Sequence, residues 1–188
     1  MLAPYTAIVL SKNPVTLTLP GIVVLGSTQT IKSAGDLHAA RLDALDQVRT
    51  PFCFYLDDDD ALPADYLDVL AECVAAGADL AYTNELVVRD GTSILSATQK
   101  YDRALHLESA LFIHHLALMR TGAAQAAARV IPRGDYWTEM LLYFQMAKAG
   151  AAHVDRIGYH WQRGADGLSM RPETLIAQVA SATWCSRS

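Results

Sequence analysis

Four consecutive carboxylates, Asp57-Asp58-Asp59-Asp60, are the residues of this chain best placed to do chemistry. Side by side they repel one another, so a folded chain tolerates them when they are solvated or when a cation sits among them. An all-oxygen cluster suits a hard divalent ion such as Mg²⁺ or Mn²⁺. An acidic run by itself reads more simply as a turn facing water, but the flanks argue for more. Phe52-Cys53-Phe54-Tyr55-Leu56 is apolar throughout, as in a strand covered on both faces. Ala61-Leu62-Pro63 follows, with a proline that opens a helix. Carboxylates at the carboxyl end of a central strand stand where open α/β sheets place their ligands.

The elements that must hold this turn can be read on either side of it. Thr6 to Ser11 reads as a strand ended by the Lys12-Asn13-Pro14 turn signal, and Gly21 to Gly26 as a second. Only about nine residues separate them, fewer than the dozen or more of an ordinary parallel crossover. They are therefore joined unusually tightly, or Val15 to Leu19 is itself extended. Asp36 to Val48 is a helix capped by Asp36, with Leu37, Ala40, Ala44, Leu45 and Val48 at helical spacing. The helix opened by Pro63 buries Leu67, Leu70 and Val74 and stops at Gly77.

Leu80 to Val88 is a strand, and Asp90-Gly91 turns it back through Ser93 to Leu95. Gln99 to Glu108 reads as polar loop, Leu111 to Arg120 as strand or helix, and Gly122 to Arg129 as helix. After the Pro132-Arg133-Gly134-Asp135 break, Trp137 to Ala149 is a helix ended by Gly150. Ala152 to Ile157 is a strand, Tyr159 to Ser169 a loop, and Pro172 opens a last helix with Leu175, Ile176 and Val179 as its apolar stripe. Strands alternating with helices imply an α/β fold with a mostly parallel sheet, made mixed by the Asp90-Gly91 hairpin.

With 188 residues, the chain is expected to form one domain, residues 1–188. A net charge of −5 gives no general attraction to nucleic acid or anionic membrane. No apolar run reaches bilayer length, and Ala7 to Leu10 is too short for a signal sequence. Cys53, Cys73 and Cys185 lack metal-type spacing; Cys53 and Cys73 stand at core positions as small buried apolar residues. Together these features lead to the expectation of a cytoplasmic protein.

The chain resembles the GT-A fold glycosyltransferases, those of family 2 in particular, in an unusually short form. Three stretches carry the resemblance over roughly residues 5 to 170. Ala40-Arg41 followed by Phe54 to Pro63 is similar to that family's Ala-Arg-Asn helix and its strand ending in Asp-x-Asp, with Asp57-Asp58-Asp59 as the Asp-x-Asp. Trp137 to Gly150 resembles its Glu-Asp helix, placing Glu139 on the catalytic Asp. Tyr159-His160-Trp161-Gln162-Arg163 through Leu168-Ser169 resembles its aromatic, Arg- and His-bearing segment. There are departures. The first crossover has no room for a helix, Gly26-Ser27-Thr28 stands where Asp residues are common, and Leu42 replaces the Asn after Arg. Gln162 and Gly164 replace Arg and His.

The resemblance implies a GT-A-like domain transferring a sugar from a nucleotide diphosphate donor, a UDP-sugar by family analogy. The residues themselves leave the base open, and the acceptor, sugar and oligomeric state are not legible. It also implies a Mn²⁺ or Mg²⁺ ion held by Asp59, with Asp57 on the metal or on the donor. Asp58 falls on the donor side, or with Asp60 caps the turn or meets solvent. Arg41 would face the diphosphate as a second cation; its plainer role is an exposed helix arginine paired with Asp43 or Asp46. Ser11, Lys12 and Asn13 would line the nucleoside pocket or form an ordinary polar turn. His38, a helical turn before Arg41, would reach the same crevice or lie on the surface. For inversion, Glu139 would be the base that takes the acceptor proton, with Asp135 its competitor; as a plain helix-start carboxylate it would only complement the dipole. His114, His115 and His160 could offer nitrogen ligands, and Trp137, Tyr159 and Trp161 could stack on a sugar or pack in the core. Two other functions compete. Phosphohydrolases of the haloacid dehalogenase type also end a strand in Asp-x-Asp, but want Thr or Val where Ala61 stands. A non-enzymatic nucleotide- or cation-binding module is the other.

Overall fold

The run from Phe52 to Leu56 is buried on alternating sides, Cys53 and Tyr55 entering one core and Phe54 and Leu56 the other. The structure is a computed structural model and describes residues 4–11, 13–28, 30–109, 112–162 and 171–188. The elements are β1 (Tyr5–Ser11), β2 (Ile22–Thr28), α1 (Ala34–Gln47), β3 (Phe52–Asp57), α2 (Tyr66–Ala75), β4 (Leu80–Arg89), β5 (Thr92–Ser96), α3 (Arg103–Glu108), β6 (Ala117–Arg120), α4 (Thr121–Ala128), α5 (Thr138–Met146), a 3₁₀ turn (Ala147–Ala149), β7 (Ala151–Gln162) and α6 (Pro172–Cys185).

The strands form one sheet in the order β2-β1-β3-β6-β4-β5, with β7 also pairing to β4. β1 runs parallel to β2 and β3, and β4 parallel to β7. The sheet is mixed, as expected. The Asp90-Gly91 hairpin supplies one antiparallel pair, with both residues at positive φ as such a turn requires. β6 adds two more, because it runs antiparallel to both β3 and β4. α1, α4, α5 and α6 cover one face and α2 the other.

The tight first connection contains no helix among its described residues. Val15 and Leu19 pack on the α2-side core, and a Cβ at Gly26 would stand 2.6 Å from Val15 Cβ, so a glycine lets the connection lie against β2. Several expectations need correction. Ser33, not Asp36, caps α1: its hydroxyl accepts from the Asp36 N–H, and the Asp36 carboxylate accepts from the Ser33 N–H, a reciprocal capping box. α2 starts at Tyr66, three residues after Pro63, and its buried residues are Val69, Leu70 and Cys73; Leu67 is exposed. Gln99 to Glu108 is not all loop, since Asp102 accepts from the Ala104 and Leu105 N–H groups and starts α3. β7 continues through Gln162, absorbing the first part of the expected loop; Arg163 to Ser169 lies outside the described residues.

On α6 the expected stripe is reversed. Leu175, Ile176 and Val179 are exposed, while Thr174, Ala177, Ser181 and Cys185 are buried. Small residues let α6 approach α5 closely, and Ser181 Oγ accepts from the Trp137 N–H at 2.8 Å, just where α5 begins. All three cysteines are buried and free, and burial pushes each thiol up to about 12. No helix among the described residues is long and apolar enough to cross a membrane.

Candidate functional site

The buried stripe of α1 runs through Ala34, His38, Arg41, Leu42 and Leu45, the spacing of one helical face. Two of its members are polar, and both find partners. His38 is fully buried; its Nε2–H donates to the Pro132 carbonyl at 2.8 Å, and Nδ1 accepts from the Thr138 hydroxyl at 3.1 Å. Burial pulls its pKa down, in keeping with a neutral ring. It is not on the surface: one ring nitrogen braces α1 against Thr138 at the start of α5 and the other against Pro132 in the segment leading to it.

Arg41 lies one turn further on and is 4% exposed. Its Nη2 donates to Asp57 Oδ1 at 2.8 Å, and Nη1 donates to Glu139 Oε1. The guanidinium also lies over the Tyr55 ring, 5.1 Å from its centroid. Burial alone would lower the Arg41 pKa, but the Glu139 and Asp57 carboxylates reverse this and hold it above its ordinary value. Arg41 is thus a buried cation, not an exposed arginine paired with Asp43 or Asp46. It fastens the end of β3 to the first turn of α5. Glu139 is itself buried, and its Oε2 has no hydrogen-bond partner among the described residues.

Beyond Asp57 the four carboxylates part company. Asp58 and Asp59 are exposed. Partial burial of the Asp59 carboxyl, with the Asp57 charge adding, raises its pKa. Asp60 turns inward. Its side chain is fully buried; Oδ2 accepts from the Tyr159 hydroxyl at 2.8 Å and Oδ1 from the Gln162 N–H at 2.7 Å. The Tyr159 oxygen in turn accepts from the Asp57 N–H at 3.0 Å. Burial pushes the Asp60 carboxyl up to about 7; the Asp57 charge adds to this, and the two hydrogen bonds oppose it. The expectation that Asp60 meets solvent therefore fails: β7 reaches past the acidic turn, with Ala61 and His160 exchanging backbone hydrogen bonds, and closes over it.

His115 completes this side. Its ring stacks on Tyr159 at 4.4 Å and 4°, and Nδ1 is 3.9 Å from Asp60 Oδ2. Asp57, Asp60 and His115 offer ligand atoms close enough together to hold a metal ion, and so do Glu85, His114 and His115. Asp59 belongs to neither group. The sequence offered Asp60 only as a turn residue and gave no signal for Glu85, which a neighbouring strand brings in.

The remaining candidates scatter around this centre. Ser11 is buried at the end of β1, where Leu10 pairs with Asp57, and its hydroxyl accepts from the Asn13 N–H. Asn13 is exposed, and Lys12 and Gly164 lie outside the described residues. Asp135 is exposed beside α1; a Cβ on Gly35 would come within 2.3 Å of its Oδ1. Trp137 is buried core, whereas Trp161 packs against both His114 and His115.

No family model matches the chain, and no curated protein matches it by sequence. Solved structures do. S. aureus TarS 1-349 in complex with UDP-GlcNAc is 15% identical, with a TM-score of 0.60 over 89% of this chain and 61% of that one. The complex of TarS 1-349 with UDP is 14% identical, with a TM-score of 0.57 over 88% of this chain and 48% of that one. A further structure of S. aureus TarS 1-349 is 12% identical, with a TM-score of 0.58 over 84% of this chain and 60% of that one. This chain thus spans between about half and three fifths of the length of these neighbours. At such identities the likeness speaks to architecture alone: the chain has a GT-A-type fold, a mixed sheet flanked by helices.

Proposed function

We propose that this chain is the donor-binding and catalytic part of a metal-dependent glycosyltransferase, which moves a sugar from a UDP-sugar to an acceptor hydroxyl with inversion. The observation that carries this reading is Arg41, a buried cation held between Asp57 at the end of β3 and Glu139 at the start of α5. One residue thereby ties a proposed donor-side carboxylate to the proposed base, inside a fold that TarS also has in its complexes with UDP and UDP-GlcNAc.

The donor set fits a hard divalent ion. Asp57 and Asp60 offer oxygen ligands that converge, and Asp59 stands exposed beside them; burial, with the Asp57 charge adding, raises the Asp59 and Asp60 carboxyls, and a bound cation would favour their charged forms. Mn²⁺ or Mg²⁺ is assigned to Asp57 and Asp59, with Asp60 beside them; when bound it would neutralise charge on the departing diphosphate. The chain's own groups do the rest. Asp58 and Asp59 present exposed carboxylates to the donor side, and Ser11 and Asn13, with Lys12, border the nucleoside. Glu139 is assigned as the base that takes the acceptor proton; its Oε2 is buried and makes no hydrogen bond among the described residues, so an acceptor hydroxyl must gain access to it for transfer.

Thermal-shift measurements with UDP, with and without Mn²⁺, test this. UDP is expected to stabilise the protein weakly alone and clearly with Mn²⁺, and Asp59→Ala is expected to abolish the metal increment. Stabilisation by UDP that ignores metal, or an increment unchanged in the variant, would overturn the assignment.

A further inference from the structure

Glu85, His114 and His115 form a cluster that sugar transfer does not require. Glu85 is 5% exposed in the middle of β4, where β7 bulges and brings Tyr159 opposite it. His114 and His115 precede β6. Consecutive residues of an extended chain send their side chains to opposite sides. Here His115 has φ of +38°, a left-handed conformation that a non-glycine residue adopts only at a cost. The result is two imidazoles on the same side, with ring centroids 3.5 Å apart.

His114 Nδ1 stands 3.0 Å from Glu85 Oε2, and His115 Nε2 stands 3.8 Å from the same oxygen. The His115 side chain is 8% exposed, yet its Nε2 has no hydrogen-bond partner among the described residues. A buried ring nitrogen without a partner has given up its bond to water and gained nothing in return. A ligand supplying an electrophile to Nε2 would make good the loss.

We propose that Glu85, His114 and His115 bind a second metal ion, of the zinc class, distinct from the hard ion assigned to the acidic turn. Two imidazoles and one carboxylate are a ligand set suited to Zn²⁺, which leaves its fourth position to water. Nitrogen ligands favour such borderline ions over Mg²⁺ and Mn²⁺, which prefer all-oxygen sites. Zinc bonds of about 2.0–2.2 Å would hold tetrahedral ligands a little over 3 Å apart, close to the separations present. His115 turns its other nitrogen, Nδ1, toward Asp60, the orientation in which a carboxylate steadies a metal-bound histidine. For His114 to ligate through Nδ1, its proton must sit on Nε2. The site does not depend on the donor chemistry proposed above.

Cobalt(II) is the probe, because four-coordinate Co²⁺ with nitrogen ligands absorbs strongly in visible light. Nucleotide-free protein titrated with CoCl₂ is expected to take up one such ion per chain. Zn²⁺ should displace it stoichiometrically and millimolar Mg²⁺ should not. Glu85→Gln and His114→Asn, each checked for native circular dichroism, are expected to weaken binding at least about 100-fold. Asp57→Asn and Asp59→Ala are expected to leave the band in place. Absence of the band in the unaltered protein would overturn the proposal without touching the UDP reading. So would a band that survives Glu85→Gln and His114→Asn, or one lost in Asp57→Asn, which would move the ion to the acidic turn.

Discussion

Arg41 shows how one side chain can decide the state of several others. Its charge is buried and answered by two carboxylates, one of them, Glu139, nearly as buried as itself. Removing one member of a buried pair leaves the other uncompensated, which costs more than the pair contributes. Arg41→Met is therefore expected to destabilise the protein by about 3–5 kcal/mol in urea denaturation, and Glu139→Gln in the same chain to restore a large part of that loss. A loss below about 1 kcal/mol would mean the pair is solvated. At this scale much was legible. Arg41 and the acidic run stand out by type and position, and the apolar strand says which end of the sheet they occupy. The partners were not legible. Glu139 lies 98 residues from Arg41, and Tyr159 lies 99 from Asp60, distances over which periodicity carries no signal.

The elements explain where expectation and structure part. Leu175, Ile176 and Val179 satisfy every sequence criterion for a buried helical face and yet are exposed, because the opposite face of α6 carries the small residues that fit against α5. Its Ser181 gives the Trp137 N–H an acceptor that α5 cannot supply. Ser181→Ala is thus expected to cost about 1–3 kcal/mol, the penalty for a buried donor left unpaired. Ile176→Ser should stay within about 0.5 kcal/mol, as exposed positions do. Equilibrium denaturation of the two variants checks the reversal; equal effects would contradict it. α3 was missed because its six residues are too few for a periodic pattern, although Asp102 two residues before Ala104 is a cap that can be read in retrospect. β6 was ambiguous because four residues cannot show a period, and only its neighbours fix its direction.

For the molecule as a whole, two sets of buried groups pull stability in opposite directions in mild acid: the raised Asp59 and Asp60 carboxyls favour the fold as pH falls, and the buried histidines oppose it. His106 is fully buried among Tyr101, Phe112 and Phe144, and burial, with the Arg103 charge, pushes its pKa down to about 4. An unfolded histidine titrates near 6.5, so between about 6.5 and 4 the unfolded chain binds the proton more readily, and stability is lost as pH falls through that window. The loss from this residue approaches about 3 kcal/mol at the lower end. His38 and His115, also held low by burial, act in the same direction. His106→Phe keeps the ring but cannot take a proton. Relative to the unaltered protein, its denaturation midpoint is expected to move upward between pH 7.5 and pH 5, and the absence of any relative change would refute the assignment.

The way β7 closes over the acidic turn has a consequence for how the protein comes into being. Asp60 receives its two hydrogen bonds from residues 99 and 102 positions later, and β4 gains its parallel neighbour only from β7. A chain growing from its N-terminus must therefore wait until Gln162 has been made before the site exists, since contacts so far apart form slowly and late. Until then an open strand edge and an unanswered carboxylate face the cell, and the nascent protein is at its most vulnerable to mispairing just before it becomes capable of binding anything.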